Sequence, residues 1–277
     1  MHLSGSSRWL LRLGTAATLA FLYVPLIVIA IYAFNSTRVQ KWPPAGLTFD
    51  WFSKAFDNPG VRDALWTSVR AGLGATAVAL VLGTLASIAV ARYRFFGREA
   101  VSFLVILPIA LPGIVTGMAL NSTFTQVLGV SLGLLTIVVG HATFCIVVVF
   151  NNVVARLRRT SRSFEEASAD LGASALQTFR FVVFPQLRSA LVAGALLAFA
   201  LSFDEVIVTT FTAGQDQTLP IWILANLSRP RQLPIVNVVA VLAILLSLIP
   251  VWIAQRITAD PVSAGAARAE AGGEAGA

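Results

Sequence analysis

Residues 100–155 contain no aspartate, glutamate, lysine or arginine. A stretch that long without a charge is foreign to a water-soluble fold. Three more uncharged runs occupy 13–37, 71–91 and 232–255, each bounded at both ends by arginine. A fifth apolar run, 189–215, is interrupted only by Asp204 and Glu205. A hydrocarbon core about 30 Å thick takes about 20 apolar residues of helix to cross. The long run therefore holds two helices, with a turn at Gly129-Val130-Ser131-Leu132-Gly133. The reading is six spans, at 13–34, 66–91, 100–125, 133–155, 189–213 and 234–256. Composition agrees: 57% of the residues are hydrophobic and 12% charged, with a mean hydropathy of +0.80. Soluble domains carry about 25% charged residues. The expected class is an all-α polytopic membrane protein.

The net charge of +7 does not point to nucleic acid, because the arginines lie between apolar runs and not in one patch. Their placement sets an orientation. With the N-terminus inside, the inner segments hold thirteen lysines and arginines and the outer segments six. Both termini are then expected in the cytoplasm, as a short segment 1–12 and a disordered Ala/Gly-rich tail 259–277, flanking a membrane domain 13–258. The first span follows Arg8 and Arg12 as a signal peptide would, but no A-x-A site follows it. It is expected to stay as an anchor. Outside, 35–63 and 214–232 are long enough to present a surface, and Trp42, Trp51 and Trp66 have the character of interfacial anchors.

No G-x-x-x-x-G-K-[ST] occurs, so no nucleotide-binding loop of that kind is encoded. The single cysteine, Cys145, has no metal-ligand cluster around it in sequence. His141 is a lone polar residue in the fourth span, expected to make an interhelical hydrogen bond. No catalytic centre and no cofactor are expected.

The connection 156–188 is basic and patterned. Ser163-Phe164-Glu165-Glu166 has the form of a capping box, in which the serine hydroxyl accepts from the Glu166 amide and the Glu166 carboxylate accepts from the Ser163 amide. A helix over 164–171 should stop at Gly172, a residue that tolerates a left-handed cap. A second box, Ser174-Ala175-Leu176-Gln177, starts another helix expected to end near Phe184, ahead of Pro185. Phe164, Ala167, Ser168 and Leu171 fall on one face of the first helix. Such a knob either packs under its own spans or docks another protein.

Glu166-Ala167-Ser168-Ala169-Asp170-Leu171-Gly172 and, nine residues later, Val182-Val183-Phe184-Pro185 resemble the EAA loop of bacterial ABC-importer permeases. Ser168, Val182 and Phe184 depart from that pattern conservatively. Pro25-Leu26-Ile27-Val28, Tyr32-Ala33-Phe34-Asn35, Leu47-Thr48-Phe49-Asp50-Trp51-Phe52, Pro112-Gly113-Ile114-Val115-Thr116-Gly117 and Ser202-Phe203-Asp204-Glu205 look like polyamine-type permeases, above all the second permease subunit of spermidine/putrescine importers. The resemblance implies a type I ABC importer permease fold in a bacterial inner membrane. It also implies three partners: a dimeric cytoplasmic ATPase, a second homologous permease and an extracytoplasmic solute-binding protein. The knob, with Ser163, Glu166, Ala167, Asp170, Gly172 and Pro185, would then couple ATP hydrolysis in the partner to movement of this chain.

Asp204 and Glu205 are the costliest residues in the spans. An acidic side chain at a helix centre costs about 2.5–3.5 kcal/mol on insertion scales and avoids lipid. A rise of about 1.5 Å per residue from 189 puts Asp204 roughly 22 Å along its helix, past the midplane. Neighbouring helical residues point about 100° apart, so at most one of the pair faces the pathway squarely; both are candidates, with Asp204 favoured for the pathway and Glu205 as an interhelical partner, and the sequence does not decide between them. An anionic collar for a cationic substrate and a structural ion-pair site both fit. Asn121 and Gln126 in the third span and Thr209 and Thr210 in the fifth are further pathway candidates. Two rivals stay open: the same kind of importer carrying an amino-acid-derived cation, iron, thiamine or an anion, and an ATP-independent secondary transporter. The second would show inverted repeats with paired broken helices, and no repeat is evident in the sequence.

Overall fold

The computed structural model describes residues 5–258, with side chains from Ser7 to Arg256; the tail 259–277 lies outside the described residues. The described residues form helices and connecting turns with no strand beyond one isolated bridge, Asn35 to Leu47. The helices are α1 Gly5–Ala33, α2 Asp50–Asp57, α3 Pro59–Arg92, α4 Arg98–Ala110, α5 Gly113–Ser122, α6 Leu134–Arg159, α7 Ser163–Asp170, α8 Ala175–Thr178, α9 Phe184–Phe203, α10 Ile207–Thr212, α11 Leu219–Leu227 and α12 Leu233–Thr258. Two π-helical turns, Thr123–Val127 and Phe179–Val183, follow α5 and precede α9. Five helical stretches are long and apolar enough to cross a membrane: Ser7–Ala33, Pro59–Arg92, Leu134–Arg159, Ala175–Phe203 and Leu233–Arg256.

The chain divides into two compact units. One takes the residues up to Asp63 with Trp222–Leu246; the other takes Ala64–Ile221 and the residues from Ser247 onward. In the first unit α1 is exposed along most of its length. The connection after α1 is held by polar ties. The Trp51 indole N–H donates to the Asn35 carbonyl at 2.8 Å, and the Lys54 ammonium lies 4.3 Å from the Trp51 ring centroid. Trp51 is buried, so it is not the interfacial anchor its residue type suggested, whereas Trp42 stays exposed.

In the second unit the core sits between α3, α6 and α9, around Ala75, Ala79, Cys145, Val149, Val153, Leu187 and Ala198. Small residues let the backbones approach, as membrane helices require where no hydrophobic effect drives them together. A Cβ on Gly83 of α3 would lie 3.0 Å from the Ile146 carbonyl of α6, and one on Gly194 of α9 would lie 3.5 Å from Val149 Cα. Ser87 spans the same interface, its hydroxyl 3.1 Å from the Phe150 carbonyl.

Three expectations are corrected here. The third span is not straight: α4 ends at Ala110, and α4 and the segment Gly113–Val127 are bent by 104° to each other. Pro112 lacks the amide that would continue the ladder, and Leu111 ahead of it is extended. The fifth span is also broken, since α9 stops at Phe203 and α10 starts only at Ile207. Finally, the helix opened by Ser174 does not end before Pro185. It passes through the π-helical turn directly into α9, with Pro185 in the first turn of α9. The amide that Pro185 lacks is missed least at a helix start.

Candidate functional site

The two breaks face each other. α5 and α10, the pieces after each break, pack along a ridge of four-residue spacing. A Cβ on Gly113 would meet Ile207 Cγ2 at 3.3 Å, and one on Gly117 would meet Phe211 Cδ2 at 2.6 Å. Asn121 Nδ2 donates to the Phe211 carbonyl at 2.6 Å. The other side of α10 is held by α6. His141 is fully buried, with Nδ1 2.7 Å from Ser202 Oγ at the end of α9 and Nε2 2.8 Å from Thr209 Oγ1 in α10. Thr136 Oγ1 lies 2.7 Å from the Thr212 carbonyl, and Cys145 Sγ lies 3.3 Å from the Ala198 carbonyl. Positions 136, 141 and 145 of α6 thus read down the α9–α10 segment in antiparallel register.

The acidic pair lies within the break, and its two members are used differently. Glu205 turns its carboxylate back on its own chain and accepts from the Val208 amide at 2.9 Å, satisfying a free N–H at the start of α10. It is a local cap, not the interhelical partner expected of it. Asp204 is exposed; its amide donates to the Ala200 carbonyl at 3.3 Å, and its carboxylate takes no hydrogen-bond or ion-pair partner among the described residues. It sits at the C-cap of α9, not at a helix centre. Thr209 is buried, and its hydroxyl donates to the Glu205 carbonyl at 2.7 Å while meeting His141. It leaves the set of pathway candidates. Asn121 is half-buried with its amide engaged, whereas Gln126 and Thr210 remain exposed.

The knob is a second cluster. α7 is closed by a Schellman motif: Gly172 has φ +81°, its amide donates to the Ala169 carbonyl at 2.9 Å, and the Ala173 amide donates to the Ser168 carbonyl at 3.1 Å. The second capping box is present in both directions, with the Ser174 amide donating to Gln177 Oε1 at 2.8 Å and the Gln177 amide to Ser174 Oγ at 3.4 Å. The first box is not. The Ser163 amide is taken by Ser161 Oγ at 3.2 Å, so Glu166 has no donor to reach back for and lies 3.6 Å from Arg162 instead. Arg162 holds the cap position, and its carbonyl accepts from the Glu165 and Glu166 amides.

α7 is held to its own chain by polar side chains. Glu165 Oε1 pairs with Arg92 Nη2 at the end of α3 at 2.7 Å, and Ser168 Oγ meets Thr178 Oγ1 at 3.0 Å. Phe164, Ala167 and Leu171 point away, Phe164 being 59% and Leu171 89% exposed, and Leu176 of α8 adds a further 75%-exposed side chain beside them. Glu166 and Asp170 are exposed with them. Ser168 alone of the four predicted face residues turns inward.

Residues 79–260 match the family of binding-protein-dependent transport system inner membrane components. The chain is 35% identical over 241 residues to the spermidine/putrescine transport system permease protein PotC of Haemophilus influenzae, an alignment covering 86% of this chain and 92% of that protein. It is 33% identical over 230 residues to the putrescine transport system permease protein PotI of Escherichia coli, covering 80% and 81%. Among solved structures, a bacterial ABC transporter involved in the import of the acidic polysaccharide alginate superimposes with a TM-score of 0.70 at 18% identity, covering 92% of this chain and 99% of that one. The MetNI methionine ABC transporter gives 0.57 at 20% identity, covering 76% and 97%. The fold is that of the type I ABC importer permeases. With its paired broken helices and its Gly172-capped knob, the chain belongs to the binding-protein-dependent transport system inner membrane components.

Proposed function

We propose that this chain is the non-catalytic permease subunit of an ATP-driven polyamine importer, forming half of the pathway beside a second permease. Both termini are cytoplasmic. A dimeric ATPase docks on the loop 156–188, and a solute-binding protein delivers substrate to the opposite side. The observation that carries the coupling half of this reading is the inverted polarity of α7. Its polar side chains Glu165 and Ser168 turn to the chain, and its apolar Phe164 and Leu171 turn out. A helix that ends in water without a partner is arranged the other way round. Asp204, open at the break between α9 and α10, supplies a carboxylate of the sign a polyamine cation requires. The relatives carry spermidine and putrescine in their names.

The test is the assembled importer in liposomes. Spermidine or putrescine with the cognate binding protein should stimulate ATP hydrolysis and accumulate inside. No binding of either polyamine to that protein at micromolar concentration sinks the substrate assignment. Uptake by this chain alone, driven by an ion gradient, sinks the ATP-driven reading.

A further inference from the structure

The hydrogen-bond directions around His141 can be fixed by counting protons. The Thr209 hydroxyl has one proton, and its 2.7 Å contact to the Glu205 carbonyl uses it, since a carbonyl only accepts. At its 2.8 Å contact with His141 Nε2 the threonine oxygen must therefore accept, so Nε2 carries the hydrogen. In a neutral imidazole, the form that full burial without an ion-pair partner favours, Nδ1 is then an acceptor, and the Ser202 hydroxyl 2.7 Å away donates to it. The neutral imidazole is the middle of a one-way chain: Ser202 Oγ–H to Nδ1, Nε2–H to Thr209 Oγ1, Thr209 Oγ1–H to the Glu205 carbonyl. Ser202 lies before the break and Thr209 after it. The chain ends on the carbonyl of Glu205, the residue next to Asp204. With the Glu205 carboxylate fixed on the Val208 amide and its carbonyl on Thr209, Glu205 is tied down, and of the two carboxylates that of Asp204 is the open one.

We propose that His141 is a positioning residue for transport. It staples the end of α9 to α10 across the break and so holds the Asp204 carboxylate toward the cation. The amides of 204–206 donate only two long backbone bonds, Asp204 to the Ala200 carbonyl at 3.3 Å and Glu205 to the Ser202 carbonyl at 3.4 Å, so without the staple the segment samples other conformations and Asp204 meets substrate only part of the time. Apparent affinity falls by the fraction of time the competent conformation is lost. This inference rests on Asp204 lying on the pathway.

The experiment uses the assembled importer in nanodiscs with spermidine as the probe and compares Thr209→Val, which keeps shape and loses the hydroxyl, with Thr209→Ser, which keeps the hydroxyl. Thr209→Val and Ser202→Ala should speed amide hydrogen exchange at 204–208. They should raise the KM for spermidine about fivefold, the size of one net hydrogen bond, with a smaller change in maximal rate. Thr209→Ser should restore both. A purely structural role would instead lower the amount of assembled importer and leave KM unmoved. Unchanged exchange, or faster exchange with unchanged KM, overturns the inference while the pathway reading stands. An Asp204→Asn importer with unchanged KM overturns the pathway reading, and the inference falls with it, leaving any exchange effect as that of a structural staple.

Discussion

The knob at α7 and the break between α9 and α10 spend their polar side chains in the same direction and expose opposite surfaces. At the knob, Glu165 and Ser168 are consumed on Arg92 and Thr178, and Phe164 and Leu171 are left outside. At the break, Ser202, Thr209 and Glu205 are consumed on His141 and Val208, and a carboxylate is left outside. Each region uses up its internal hydrogen bonds and leaves a distinct surface, at the knob two large apolar side chains flanked by the Glu166 and Asp170 carboxylates and at the break a lone carboxylate. The leftover predicts the visitor: an apolar protein groove at the knob, water and a cation at the break. Exposed apolar area next to satisfied polar groups is how a docking surface differs from a poorly packed helix.

The comparison breaks most easily at Phe164. Phe164→Asp puts a charge where a partner would bury it, and an unpaired buried charge costs about 3–5 kcal/mol. The ATPase subunit should no longer co-purify, and uptake should fall by roughly 100-fold or more, while the chain still inserts. An ATPase that still co-purifies at wild-type yield would mean that α7 is not the docking surface. The matching change near the break is Gly117→Val. Its Cβ would lie 2.6 Å from Phe211 Cδ2, so α5 and α10 must separate. Overpacking of this kind costs about 1–3 kcal/mol. The detergent-solubilised importer should melt about 2–4 °C lower for each kcal/mol; an unchanged midpoint would show that the two pieces do not need their close contact.

Much of the knob was legible because its signals are local. Gly172 and the Ser174–Gln177 box act within one turn, and both do what their residue types predict. The first box misled because the Ser161 hydroxyl competes with the Glu166 carboxylate for the Ser163 amide, and the box pattern does not include the residue two places before it. The break was not legible. Hydropathy measures how long an apolar run is and says nothing of whether it stays helical, so 189–213 read as one span. The ties that hold the interruption, Ser202 and Thr209 to His141, join residues more than sixty positions apart. The bend at Pro112 carried a proline signal, but the length of the uncharged run outweighed it. Broken helices also lose their value as a mark of secondary transporters: this chain bends its third span and interrupts its fifth at 204–206, and its family is that of binding-protein-dependent transport.

A smaller effect is expected at Gly172. Nothing lies within 4 Å of a Cβ built there, so Gly172→Ala costs only the strain of its φ of +81°. That is about 1–2 kcal/mol for an L-residue in the left-handed region. The cost falls on the angle between α7 and α8, so about tenfold less spermidine should enter per ATP hydrolysed. Gly172→Asn, which visits that region more readily, should be milder. Equal coupling in all three proteins would mean that the turn tolerates a range of angles.

The smallest effect sharpens the comparison most, because it concerns how the knob moves the spans. Arg92 Nη2 and Glu165 Oε1 are 2.7 Å apart, with side chains 12% and 22% exposed. Arg162 also reaches the Arg92 carbonyl, with Nη1 at 3.4 Å. The pair joins the last turn of α3 to the first turn of α7, so a push on α7 reaches α3 without passing through the Thr160–Arg162 connection. Ion pairs at a protein surface contribute about 0–1 kcal/mol, and this one is shielded enough to lie near the top of that range. Glu165→Gln alone should cut uptake per ATP about fivefold. Exchanging the two charges, Glu165→Arg with Arg92→Glu, should recover most of it. If the exchange is no better than Arg92→Glu alone, the pair is a passive contact, and force must enter through the π-helical turn and α9 instead.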